Sequence, residues 1–168
     1  KTKMSKKIQQ HTISVLVDNE DGVLERVIGL FSGRGYNIDS LTVTEVDIAH
    51  QLSRITVQTT GTPQVIEQIK AQLGRLVPVH KVVDLTVEGE PLERELALVK
   101  VAGKGDKRVE ALRLAEAFRA QVIDATSDSF VFEITGRSKK IAQFIELMDP
   151  LGLVEVACTG VASISFGM

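Results

Sequence analysis

One order of elements, strand, helix, strand, strand, helix, strand, can be read twice along this chain, and that repetition constrains its fold more than any other feature. From Thr12 the residues alternate, with Ile13, Val15 and Val17 to one side and Ser14 to the other, until the polar run 18–22 breaks the pattern. Leu24, Val27, Ile28 and Phe31 then share one face of a helix that Gly33-Arg34-Gly35 brings to an end, since glycine takes the left-handed cap conformation. Strand-like runs at 38–46 and 52–59 predict a hairpin across the polar stretch near Asp47 and His50. Thr62-Pro63 starts a second helix, Thr as cap and Pro in the first turn, and Ile66, Ile69, Leu73 and Leu76 carry it to Val77-Pro78. A last strand is expected at about 79–87.

Beyond residues 88–91 the order returns. A strand near 96–102 leads into the turn Gly103-Lys104-Gly105 and a helix with Asp106 as its expected cap and Ala111, Leu114, Ala115 and Phe118 at helical spacing. Strands at 122–125 and 130–135 precede a helix expected to be capped by Ser138, with Ile141, Phe144, Ile145 and Met148 in register, and a strand at 153–158. At 168 residues, length leaves the domain count open and the repetition decides it. The expected fold class is α+β: two ferredoxin-like βαββαβ domains at 8–87 and 92–168, joined by a linker at 88–91.

Composition removes several functions. With 20 basic and 22 acidic residues and a formal charge of -2, nothing favours nucleic acid or an anionic membrane. Aromatics make up 4% of the chain, Tyr36 is its sole tyrosine and tryptophan is absent, so a base-stacking RNA platform is missing. No apolar run reaches the roughly 18 residues of a membrane span, and the basic opening 1–7 lacks the apolar core of a secretory signal; a cytoplasmic protein is expected. Cys158 has no internal disulfide partner and is read as a small buried hydrophobe on a strand. Gly33-Arg34-Gly35 and Gly103-Lys104-Gly105 open a GxG, but Ile38 and Arg108 stand where a dinucleotide fingerprint needs its last glycine. His11, His50, His80 and Cys158 are too scattered for a metal site. Neither a catalytic residue nor a cofactor is expected in this chain.

The segment Asp18-Asn19-Glu20-Asp21-Gly22-Val23-Leu24 is the informative one. A turn that ends a strand and opens a helix offers backbone N–H groups to an anion such as an amino-acid carboxylate, and Gly22 allows close approach. Asn19 and Asn37 could add neutral polar partners. These are also ordinary turn residues, and taken alone the segment reads more often as a plain connection, about three times in four.

The stretch 13–41, from Ile13-Ser14-Val15-Leu16-Val17 through that turn to Gly35-Tyr36-Asn37-Ile38-Asp39-Ser40-Leu41, closely resembles the ACT domain of acetohydroxyacid (acetolactate) synthase small subunits. Leu92-Glu93-Arg94-Glu95-Leu96-Ala97-Leu98-Val99-Lys100-Val101 resembles the start of their second domain, and the likeness covers the chain from about Lys7. It implies a regulatory subunit that raises the activity of a separate catalytic large subunit and confers feedback inhibition by valine, or leucine or isoleucine. Thiamine diphosphate, Mg and FAD are expected in that catalytic subunit and none here. The family's effector turn falls on Asn19, Asp21, Gly22, Val23 and Leu24, with Asn37 and Ile38 as the second segment, and ACT homodimers supply the two from opposite protomers. No departure occurs at these positions; no role is assigned to the hairpin at 47–51. The alternative is a stand-alone ACT-domain amino-acid sensor regulating another enzyme or transcription, although no helix-turn-helix or basic stripe is present for DNA contact. A small acylphosphatase-type enzyme would use Arg26 and Asn37, but the phosphate-cradling glycine loop is lacking.

Overall fold

The computed structural model describes residues 7–87 and 89–167; the basic opening 1–6, Glu88 of the expected linker and Met168 lie outside the described residues. The first half runs β1 (Gln9–Asp18), α1 (Val23–Gly33), β2 (Ser40–Asp47), β3 (Leu52–Gly61), α2 (Pro63–Gly74) and β4 (Val79–Asp84). The second runs β5 (Leu92–Val101), α3 (Asp106–Ala117), β6 (Gln121–Ala125), β7 (Phe130–Gly136), α4 (Ser138–Met148), a 3-10 turn (Asp149–Leu151), β8 (Leu153–Cys158) and a short β9 (Ala162–Ile164). Strand orders β2-β3-β1-β4 and β6-β7-β5-β8 make the same antiparallel topology twice, as expected of split βαβ units.

Alternation along β1 places Ile13, Val15 and Val17 on the helix side, opposite Val57, Ile55 and Ser53 of β3. Those apolar strand residues form one core with Val23, Val27 and Phe31 of α1 and Ile66, Ile69 and Leu73 of α2. Each such side chain removed from water contributes about 1.5–3 kcal/mol before entropy is charged. The buried stripe of α1 is therefore Val23, Val27 and Phe31; Leu24, expected inward, is 37% exposed because Val23, one residue earlier, takes the core position. In the second unit Ala97, Val99 and Val101 of β5 and Phe130, Phe132 and Ile134 of β7 pack on Ala111, Ala115, Ile141, Phe144 and Met148.

Helix ends separate the expectations. Thr62 caps α2, its Oγ1 accepting from Val65 N at 3.3 Å, and Pro63 is the first helical residue. Gly35 closes α1 at φ +69, with Tyr36 N donating to Phe31 O at 2.9 Å. Asp106 and Ser138 are not caps: each is the first residue inside its helix, behind Gly105 and Arg137, and neither cap position makes a side-chain bond. Cys158 ends β8 as placed, but it is exposed rather than buried.

Two compact units result, one running to Leu92 and taking in the stretch from Ser163, the other Glu93–Ala162. β9 pairs with β5 of the second sheet.

Candidate effector site

The turn after β1 is tied to the neighbouring strands by its backbone. Asp18 N donates to Pro78 O at 2.9 Å, Asn19 N to Gln51 O at 2.7 Å and Glu20 N to Asp18 O at 3.0 Å. Gly22 then takes φ +83, ψ -3 at the N-cap, a left-handed conformation that favours glycine, and no side chain caps the helix. A Cβ there would meet nothing within 4 Å, and Val23 N, the first helical amide, donates to Glu20 O at 3.4 Å. Amides of the first helical turn lack an intrahelical acceptor and carry partial positive charge, which suits a carboxylate.

Of the residues expected around this turn, Asn19, Asp21, Gly22 and Leu24 are exposed. Val23 is 4% exposed and belongs to the core, so Leu24 is the apolar side chain this turn offers to a ligand. Asn19 Nδ2 donates to Glu45 Oε1 at 3.4 Å. Asn37 donates to Asp39, and its backbone O accepts from Thr59 Oγ1 at 2.6 Å. Asp39 also accepts from Gln10 Nε2 at 3.2 Å and from Thr60. Ile38 is half-buried against the first core.

A single protomer does not bring these two groups together. Asp18 and Asp47 both pair with Leu52 at one end of the sheet, whereas Ser40 pairs with Gln58 at the other end, where Asn37 sits. The seven steps of β2 between them span about 23 Å. That strand forms one edge of the sheet, with Val43 48% and Val46 43% exposed.

Sequence reasoning gave the hairpin between β2 and β3 no role, yet it supplies the Gln51 carbonyl that fixes Asn19. Its geometry comes from Asp47, which accepts from His50 N at 3.0 Å and lies 2.8 Å from His50 Nδ1, and from Gln51 at φ +51. Those bonds, the backbone one foremost, hold the Asp47 carboxyl below its usual range. An Asp three residues before a histidine in a polar turn was the available signal. Among the described residues no cluster of three His, Cys, Asp or Glu could hold a metal ion, and no helix is long and apolar enough to cross a membrane.

Residues 13–81 match the model of the AHAS small subunit-like ACT domain, and residues 94–167 match the small subunit of acetolactate synthase. A probable acetolactate synthase small subunit from Archaeoglobus fulgidus is 46% identical over 90% of this chain and 93% of its own length. The chain belongs to the acetolactate synthase small-subunit family. Another member, the isozyme 3 small subunit of Escherichia coli, is 47% identical over 92% of this chain and 94% of its own length. The crystal structure of the small subunit from Thermotoga maritima superposes with a TM-score of 0.82 at 38% identity, covering 93% of this chain and 96% of that one. Membership extends over both units, so the first turn and the second domain are read as parts of one regulatory chain.

Proposed function

We propose that this chain is the non-catalytic regulatory subunit of acetolactate synthase, acting in the cytoplasm. It binds valine, or a related branched-chain amino acid, between two copies of its first domain and transmits that occupancy to the catalytic large subunit. Thiamine diphosphate, Mg and FAD belong to that large subunit, and this chain contributes no catalytic group.

The observation that carries the dimeric site is the placing of its two halves at opposite ends of an edge strand. Antiparallel pairing of β2 with its own copy across a two-fold axis exchanges the ends. Asn37 and Ile38 of one copy then lie beside the Gly22 turn of the other, twice per dimer. The same pairing covers the unpaired backbone of an exposed edge. In this arrangement the effector carboxylate takes the turn amides, Asn19 and Asn37 orient its polar end, and Leu24 and Ile38 meet its aliphatic part. One methylene more or less changes burial by about 0.8 kcal/mol, so discrimination among valine, leucine and isoleucine is modest. Inhibition requires unequal binding to two states of the complex, with a coupling of about 1–3 kcal/mol.

The test is acetolactate formation by the cognate catalytic subunit, with and without this chain, across a valine titration. Activation followed by valine inhibition is expected. Asn19→Ala, Gly22→Asp and Asn37→Ala should each raise the inhibitory valine concentration while leaving activation in place. An unchanged response in all three removes this site; absence of activation favours a stand-alone ACT sensor.

A further inference from the structure

Both asparagines of the effector site are held by carboxylates. Asn37 Nδ2 donates to Asp39 Oδ1, and Asn19 Nδ2 donates to Glu45 Oε1 at 3.4 Å. An ionised carboxylate can only accept, so each asparagine must turn its NH2 toward that neighbour and its Oδ1 away. The orientation of each amide is thus set before a ligand arrives.

Asp39 is the more firmly built of the two holders. Its backbone N donates to Gln58 O at 2.8 Å, and its Oδ2 accepts from Gln10 Nε2 at 3.2 Å and from Thr60 Oγ1. Donors from β1 and β3 therefore fix the carboxylate. Thr59 Oγ1, donating to Asn37 O at 2.6 Å, fixes the backbone of the residue that Asp39 holds. Glu45, on β2, contributes one longer bond.

Charge points the same way. Residues 18–26 hold Asp18, Glu20, Asp21 and Glu25 against one cation, Arg26, and Glu20, Asp21 and Glu25 are exposed. A small monoanion approaching the Gly22 turn is repelled by this surface, whereas a zwitterion of no net charge is not. In the dimeric arrangement Asn19 with Glu45 of one copy and Asn37 with Asp39 of the other face one ligand. Two amide oxygens backed by two carboxylates favour a cationic group, beside a turn whose amides suit an anion.

We propose that Asp39 is a positioning residue that makes the effector site select for an α-ammonium group, with Glu45 in a lesser role at Asn19. By holding the NH2 ends it leaves the asparagine oxygens to accept from the ammonium. A 2-oxo acid of the same carbon skeleton, itself an acceptor, finds no donor there. Asp39 acts in this way within the dimeric effector site proposed above, on which its role rests.

The full chain is titrated calorimetrically with L-valine and with 3-methyl-2-oxobutanoate, which keeps the carboxylate and the isopropyl group and carries a carbonyl in place of the ammonium. Valine should bind at least about a hundredfold more tightly, because the oxo acid leaves the site's acceptors without a donor. Asp39→Asn lets the Asn37 amide turn either way, since the new side chain can donate as well as accept, and the ratio should narrow about tenfold. Asp39 is exposed, and circular dichroism verifies that the variant is folded. Glu45→Gln should narrow the ratio less. An oxo acid that binds as well as valine overturns ammonium selection while leaving the effector site in place. A ratio unchanged in Asp39→Asn, with both affinities lowered together or not at all, overturns the positioning role. No binding of valine overturns the effector site itself, and the role of Asp39 with it.

Discussion

Both units turn from their first strand into their first helix through glycine, but the two turns are packed differently. In the first unit Gly22 stands at φ +83 with open space where a side chain would go. In the second, a Cβ on Gly103 would lie 2.5 Å from Leu151 O, one on Gly152 would lie 2.9 Å from Ala102 O, and Ala102 N donates to Gly152 O at 2.8 Å. Backbone packs on backbone at Gly103, whereas Gly105, which stands at the N-cap of α3 as Gly22 does at that of α1, has φ +60 and nothing within 4 Å of its Cβ position. The same topology therefore carries a turn that is open throughout in one unit and one that is anchored to the chain before β8 in the other.

The cores differ in the same spirit. α1 presents Val23, Val27 and Phe31, whereas α3 buries only Ala111 and Ala115. Small residues on α3 are compensated by rings: Phe132 stacks edge-on with Phe144 at 6.1 Å, and Phe118 lies 5.5 Å from Phe144.

The largest effect expected from this contrast is Phe132→Ala, which should cost about 3–5 kcal/mol in urea unfolding of the second unit. Transitions followed separately in the two units would show whether the first is left in place; an equal shift in both would mean that they unfold together. Gly103→Ala comes next, at about 3 kcal/mol, because a backbone carbonyl cannot swing aside as a side chain can. Gly22→Ala should lose about 1–2 kcal/mol, the left-handed penalty without a clash. Thermal midpoints of the pair in the wrong order would break the distinction between open and anchored turns.

The caps sharpen the comparison further. Thr62→Ala should cost about 1 kcal/mol. Ser138 Oγ is buried and unpartnered, so Ser138→Ala should be neutral or slightly stabilising. Urea midpoints of the two variants test this directly.

The smallest effect is in the hairpin turns. The β2–β3 turn rests on the ionised Asp47, whose pKa lies below the ordinary aspartate value of 3.8, so its support is present above that value and lost as pH falls through the lower folded one. The β6–β7 turn uses the neutral Thr126 Oγ1, which accepts from Asp128 N at 3.2 Å and Ser129 N at 3.0 Å. Amide exchange should show the His50 amide losing protection only below 3.8, with Ser129 unaffected by titration of its acceptor.

Alternating Ile13, Val15 and Val17, the Thr62-Pro63 start and the glycine stop after Phe31 made the two βαββαβ units legible, because each signal acts within a few residues. Cap assignments at Asp106 and Ser138 missed by one residue because Gly105 and Arg137 take the cap position and no side chain bonds there. The Gly22 turn was legible as a glycine turn that ends a strand and opens a helix. The inward turn of Val23 was not, since a helix's rotation about its axis is decided by the sheet beneath it.

The sequence by itself determined the repeat, the fold class and the glycine turn after the first strand, all of which follow from local period and turn chemistry. Only the tertiary structure decided that the Gly22 turn and Asn37 stand at opposite ends of the edge strand β2 and that β9 pairs with β5. Each of these depends on strand register between segments far apart in the chain, which no local pattern encodes.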